Sequence, residues 1–533
     1  MSGRRLRWHD VARRTSVIAA CAALAAGAAA CAGPAAASRP DKSLSPLIVA
    51  VRDGQVRGKD SAGMYEFLGI PYAAPPVGPL RWRAPQPPAH WPGTRAATQF
   101  APHCPQPIGV FGRASTSEDC LYLNVFAPAG HPRGGLPVMV WIHGGAFVGG
   151  ESDDYDPSGL VADGVMVVTI NYRLGALGFL AHPALADHPG GPAGDYGLMD
   201  QQAALRWVRG NISAFGGNPR NVTIFGESAG GQSVLLQLAS PGARGLFTKA
   251  IAESGGYAVS PTPLGTAEAA GRAFAAKAGC PIQTAQCLRS LPVAKILSAE
   301  DQSGALADLD GLVVIESQKA AFTTGNFSHV PVLDGSNHDE WRLFVALATF
   351  EGHPVTAAGY QSVIASTLRV PRGIAAIIAA QYPLGSYPSP AMAMSTLGTD
   401  GIFACPTLLL DQAMSRFTPT FAYEFSDQNA PVSYASPGFA YGATHASELQ
   451  YLFGLPAGAH GILSAEQQRL AATMRQEWTS FAKTGVPSST GAPAWPRFTT
   501  GSPAMLSLVT PESAVQTDFS AEHHCSFWAL GGD

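Results

Sequence analysis

Three runs constrain the fold before anything else does: "PVMVWIHGG" (137–145), "VMVVTINYR" (165–173) and "NVTIFGESAGG" (221–231). Each is a nearly unbroken apolar stretch that ends in glycine or in polar residues. A strand with one wet face alternates apolar and polar residues, whereas a strand apolar throughout is buried on both faces. Helix-periodic segments lie between them, such as "GLMDQQAALRWVRGNISAFGG" (197–217) and "QSVLLQLAS" (232–240). This alternation predicts an α/β fold, a mostly parallel central sheet with helices on both faces. Further strands are expected in "KAIAESG" (249–255), "VPVLDGSNHDEW" (330–341) and "TFAYEFSD" (420–427). Residues 46–58 and 65–82 read as hairpins. The second is so rich in proline that an extended path on the surface is expected. Residues of about 265–325 and 350–415 are Ala-rich and helix-like. They are expected as helical insertions over the C-terminal edge of the sheet, where open α/β sheets bind ligands.

The chain has 533 residues, 46% of them hydrophobic, enough to bury a large core. Its formal charge is −4, and no Lys/Arg run occurs beyond the N-terminus. That removes the electrostatic case for a nucleic-acid partner. Residues 1–37 join a basic start to an Ala-rich apolar run and a small-residue cleavage site near Ala37, the pattern of an export signal. Arg13-Arg14 partly matches a twin-arginine type. A membrane anchor is the competing reading, and Cys31 is a candidate for lipidation. The run is broken by Gly27 and Gly33, however, and lacks the Leu/Ile/Val content of a spanning helix. No later stretch is expected to cross a bilayer. Residues 38–533 therefore read as a single exported domain, secreted or periplasmic, with no stable membrane insertion once the signal is removed. The oligomeric state is not legible.

Six cysteines follow the signal: Cys104, Cys120, Cys280, Cys287, Cys405 and Cys525. An even number in an exported chain points to disulfides, with fifteen pairings open. There is no C-x-x-C pair and no Cys/His cluster with ligand spacing, so no metal or cofactor is expected.

Ser228 lies between Gly226 and Gly230, after a strand and before a helix. A serine hydroxyl is a weak nucleophile until a base takes its proton. The base needs an acid to orient it, and the oxyanion that forms needs fixed donors. A glycine-flanked strand-to-helix turn presents such a serine. "HGGAF" (143–147), also directly after a strand, offers the N–H groups of Gly144 and Gly145. With the N–H of Ala229 they make a candidate three-donor oxyanion hole. His143 belongs to that loop and reads as an organiser of its backbone rather than as the base.

With these elements the chain resembles the type-B carboxylesterase family of α/β-hydrolases over roughly residues 44–530. The resemblance rests on "EDCLYLNV" (118–125), "WIHGGAF" (141–147), "NYRLGALGFL" (171–180), "GLMDQQAALRWV" (197–208), "FGGNPRNVTIFGESAGG" (215–231), "NHDE" (337–340) and "HASELQYLFG" (445–454). It implies the α/β-hydrolase fold, Ser228 as nucleophile, His445 as general base and Glu340 as the orienting acid. Asp339, one position earlier, competes for that last role, and Trp341 stands where the family pattern has glycine. Glu227, Ser254 and Glu448 match supporting positions around the histidine. The resemblance pairs Cys104–Cys120, Cys280–Cys287 and Cys405–Cys525.

Several activities share this family. Cholinesterases carry a tryptophan between the first two framework cysteines. Here "PQPIGVFGRASTSED" has none, and Phe111 is its only aromatic residue. Adhesion members lack the nucleophile, which this chain retains. The expectation is a serine carboxylesterase acting on small, uncharged carboxylic esters, with a lipase for longer acyl chains as the alternative.

Overall fold

The computed structural model describes residues 46–109, 112–130, 135–186, 193–300, 307–456 and 461–529. Residues 1–37, read above as an export signal, and Phe111 lie outside them. The described residues all fall within one compact unit, Leu44–Asp533.

Period-two alternation builds the centre. In strand Leu136–Ile142, Val138, Val140 and Ile142 enter one apolar layer, while Met139 and Trp141 enter the other. Strand Met166–Ile170 divides the same way, Val168 and Ile170 against Val167. Seven strands run parallel, in the spatial order Met166–Ile170, Leu136–Ile142, Gly217–Glu227, Lys249–Glu253, Val332–Asn337, Thr420–Phe425 and Met505–Leu508. Antiparallel strands extend both edges: Tyr122–Pro128, Met64–Pro71 and Lys59–Ser61 on one side, Ala514–Gln516 on the other. Helices Tyr196–Asn211 and Ala229–Ala239 supply Leu198, Leu205, Val234 and Leu235 to the first layer. Helix Ala465–Thr484 supplies Leu470, Met474, Trp478 and Phe481 to the second. Ser464 and Gln467 close a reciprocal capping box that fixes where this last helix starts.

Three expectations need correction. The proline-rich 65–82 stretch is not a surface segment: Met64–Pro71 is a largely buried strand, and the Trp82 ring is fully buried with its Nε1 donating to the Ala176 carbonyl at 2.7 Å. Its prolines stand at the strand end and in the turn beyond, where no ladder donor is lost, so they do not prevent burial of their apolar neighbours. The second insertion starts earlier than residue 350, because helix Arg342–Phe350 already belongs to it. Third, Pro390–Met414 is long and apolar enough to cross a membrane, although most of it is buried inside the protein. Its apolar content serves the core. Otherwise the insertions are mainly helical, comprising Leu264–Lys277, Ala285–Arg289, Val293–Ala299 and Gln318–Thr324, then Tyr360–Leu368, Arg372–Gln381, Pro390–Gly398 and Cys405–Met414, with one short strand, Asp308–Leu309, in the first.

The cysteines pair as the resemblance implied, Cys104–Cys120, Cys280–Cys287 and Cys405–Cys525.

Candidate active site

The site collects where the parallel strands end. Strand Gly217–Glu227 runs straight into Ser228, which takes φ 56° and ψ −120° before helix Ala229–Ala239 begins. For a residue with a Cβ this is a costly conformation, held here by its surroundings. The Ser228 N–H donates to the Glu253 carbonyl at 2.8 Å, and the Gln232 N–H donates back to the Ser228 carbonyl at 2.8 Å. Both glycines of the pentapeptide are required by one atom: a Cβ on Gly226 or on Gly230 would strike the Ile142 carbonyl oxygen of the next strand. The sharp turn and the close strand–helix approach are thus a single constraint.

His445 reaches Ser228 from the loop after strand Thr420–Phe425. Its Nε2 lies 2.8 Å from Ser228 Oγ, and its Nδ1 lies 2.5 Å from Glu340 Oε2. Glu340 is fixed in turn on its other oxygen, which accepts from Ser254 Oγ at 2.5 Å and from the Asn337 N–H at 2.7 Å. Of the two neighbouring acids, Glu340 is the one that reaches the imidazole, and Asp339 is held elsewhere. Its carboxylate binds Arg342 at 2.7 Å, Gln428 Nε2 at 2.7 Å and the Ala443 N–H at 3.0 Å, away from the imidazole. Asp339 also donates its own N–H to the Ala443 carbonyl, so it staples the acid loop to the histidine loop.

The three supporting residues divide. Glu227 reaches the imidazole itself, with Oε1 3.2 Å from His445 Nε2. That oxygen has no aligned hydrogen-bond donor, so the contact is one of charge rather than a formed hydrogen bond. Ser254 acts on Glu340. Glu448 stands one step further back and accepts from Asn337 Nδ2 at 2.5 Å, which also donates to the Thr444 carbonyl. Asn337, given no role in the sequence reading, thus holds both loops. Its signal was its place as the first residue of "NHDE".

Electrostatics follow from burial. Burial disfavours a charged His445, but the carboxylates of Glu227 and Glu340 outweigh it and push its pKa up to about 9. Burial raises Glu227 to about 7, against the pull of His445 and with the repulsion of Glu340. Burial also raises Glu253 to about 8, while Trp478 Nε1 donates to it at 2.8 Å.

The "HGGAF" loop lies against the serine, since a Cβ on Gly144 would sit 3.1 Å from Ser228 Cβ. Gly145, Ala146 and Phe147 take successive positive φ values of 102°, 54° and 61°. The N–H groups of Gly144, Gly145 and Ala229 make no hydrogen bond among the described residues. His143 stacks on Tyr172 at 4.5 Å, and its Nδ1 lies 2.8 Å from the Gly144 carbonyl. Burial lowers its pKa to about 4, so it stays neutral and shapes the loop.

Two aromatic residues missed in the sequence flank the imidazole. The Phe344 and Phe403 ring centroids lie 5.2 and 5.1 Å from that of His445. Phe344 comes from helix Arg342–Phe350. Phe403 comes from a π turn, Thr399–Ala404, set between two helices of the second insertion. No local sequence signal marks either one. Such π turns recur at functional sites.

Fold and site together define a serine hydrolase of the α/β-hydrolase class. A model of the carboxylesterase family matches residues 45–528. The chain is 38% identical to the fumonisin B1 esterase of Sphingopyxis macrogoltabida, over 85% of this chain and 84% of that one. It is 36% identical to the para-nitrobenzyl esterase of Bacillus subtilis (91% and 99%) and 34% identical to the human cocaine esterase (86% and 86%). The chain belongs to the carboxylesterase family.

Proposed function

We propose that this protein is a serine carboxylesterase that hydrolyses small, uncharged carboxylic esters through an acyl-enzyme. The carrying observation is the unbroken chain Ser228 Oγ–His445 Nε2 and His445 Nδ1–Glu340, at 2.8 and 2.5 Å. His445 takes the Ser228 proton as Oγ attacks the ester carbonyl. The free N–H groups of Gly144, Gly145 and Ala229 receive the oxyanion. Glu340 keeps the imidazole in one tautomer and stabilises the imidazolium. The protonated Nε2 gives its proton to the leaving alcohol, and water then opens the acyl-enzyme by the same steps in reverse. Phe344 and Phe403 set apolar rings beside the imidazole, and relatives named for fumonisin B1, para-nitrobenzyl and cocaine esters act on small-molecule esters.

A p-nitrophenyl ester series from acetate to palmitate, with and without an organophosphate, tests this reading. Organophosphate-sensitive hydrolysis that peaks at short chains is expected. A peak at palmitate with interfacial activation, or no hydrolysis by folded protein, would overturn it.

Three disulfides fit an oxidising compartment, which supports residues 1–37 as an export signal. Sequencing the N-terminus of the exported protein tests that reading, and finding Met1 retained counts against it.

A further inference from the structure

Away from the serine, His338, Glu424 and His523 converge. One ligand atom from each lies within 4.8 Å of the other two. They come from the acid loop, strand Thr420–Phe425 and the C-terminal segment, so no local spacing announced them. His523 Nε2 lies 2.7 Å from Glu424 Oε1, and His338 Nε2 lies 3.0 Å from Glu522 Oε1. Both outer nitrogens rest on carboxylates, His523 Nδ1 on Asp400 at 2.8 Å and His338 Nδ1 on Asp339 at 3.1 Å. Histidines that ligate metals almost always carry such a partner, which fixes the tautomer and orients the ring; a bound ion would replace the proton that each Nε2 shares with Glu424 or Glu522.

A second cluster, His103, Glu151 and Asp153, has similar spacing. There Arg113 already binds both carboxylates, at 2.6 and 2.8 Å. Among the described residues, neither Glu424 nor Glu522 pairs with a lysine or arginine. His338 keeps 28% of its side chain exposed and Glu522 keeps 43%, so an ion can enter from that side.

We propose that His338, Glu424 and His523 bind a divalent transition-metal ion of the zinc class, with Glu522 or water completing the shell. Two imidazoles and a carboxylate suit zinc and its neighbours better than magnesium or calcium. The ion clamps the C-terminal segment, tethered through Cys405–Cys525, to the loop that bears Glu340. Asp339 extends the clamp toward His445 through its bond to the Ala443 N–H.

The test is zinc titration of the chelator-stripped full chain by calorimetry, with metal content measured after desalting. One zinc per chain is expected in the wild type, retained in His103→Gln and His445→Gln. It is expected to weaken at least tenfold in His338→Gln and His523→Gln. His523 is buried, so if its variant fails to fold, the partly exposed His338 decides. No stoichiometric zinc in the wild type, equal binding by His338→Gln, or loss in His103→Gln or His445→Gln overturns the proposal.

Discussion

At the residue scale, His445 Nε2 faces two groups, the hydroxyl of Ser228 and the carboxylate of Glu227. The first draws on its basicity and the second sets it. The imidazole must be neutral to accept the serine proton, so activity grows as pH rises through its pKa. With that pKa raised to about 9, the acid limb of kcat/KM should lie well above the ordinary 6.5 of a histidine. Glu227→Gln removes the largest charge that holds it up, so the limb should move toward lower pH. An unmoved profile would show that Glu227 does not set the basicity. Ser228→Ala should lower kcat by about four to six orders of magnitude, with the thermal melt unchanged. The serine was legible from its own pentapeptide because the constraint there is local. Glu340 was only preferred over Asp339, because the deciding contacts come from Arg342, Gln428 and Ala443, elements that no short motif spans.

At the element scale, the elbow depends on the Ile142 carbonyl. Gly230→Ala should cost about 2 kcal/mol or more in denaturant unfolding, since neither the strand nor the helix can yield without disturbing the other. It should also lower kcat, because the helix carries the Ala229 N–H. The parallel strands were legible because burial on both faces leaves a long apolar run. The 65–82 stretch was misplaced because proline marks where a ladder ends and says nothing about which side chains are buried. Phe403 was invisible because a π turn has no composition of its own. Its position emerges only when two helices meet in one continuous rod.

At the scale of the whole molecule, Cys405–Cys525 closes the longest loop, with a sequence separation of 120 residues. In the chain-entropy model such a closure stabilises by about 4–5 kcal/mol. A Cys405→Ser/Cys525→Ser double variant should therefore unfold at lower denaturant than the parent. Equal midpoints for variant and parent would show that the bridge contributes nothing to stability. The pairing itself was legible only through family resemblance, since six cysteines in a row carry no connectivity.

The two rings beside His445 have unequal attachments, and this sets how the enzyme can diversify. Phe403 touches His445 only across space, from an insertion far along the chain from Ser228, Glu340 and His445, so exchanging it should alter the ester preference with less disturbance of the triad backbone. Phe344 stands four residues after Glu340, on the helix that follows the acid loop directly, so a change there pulls on the acid as well. Evolution toward new esters thus has one open route and one obstructed route. A saturation library at 403 should yield more active, altered-preference enzymes than one at 344.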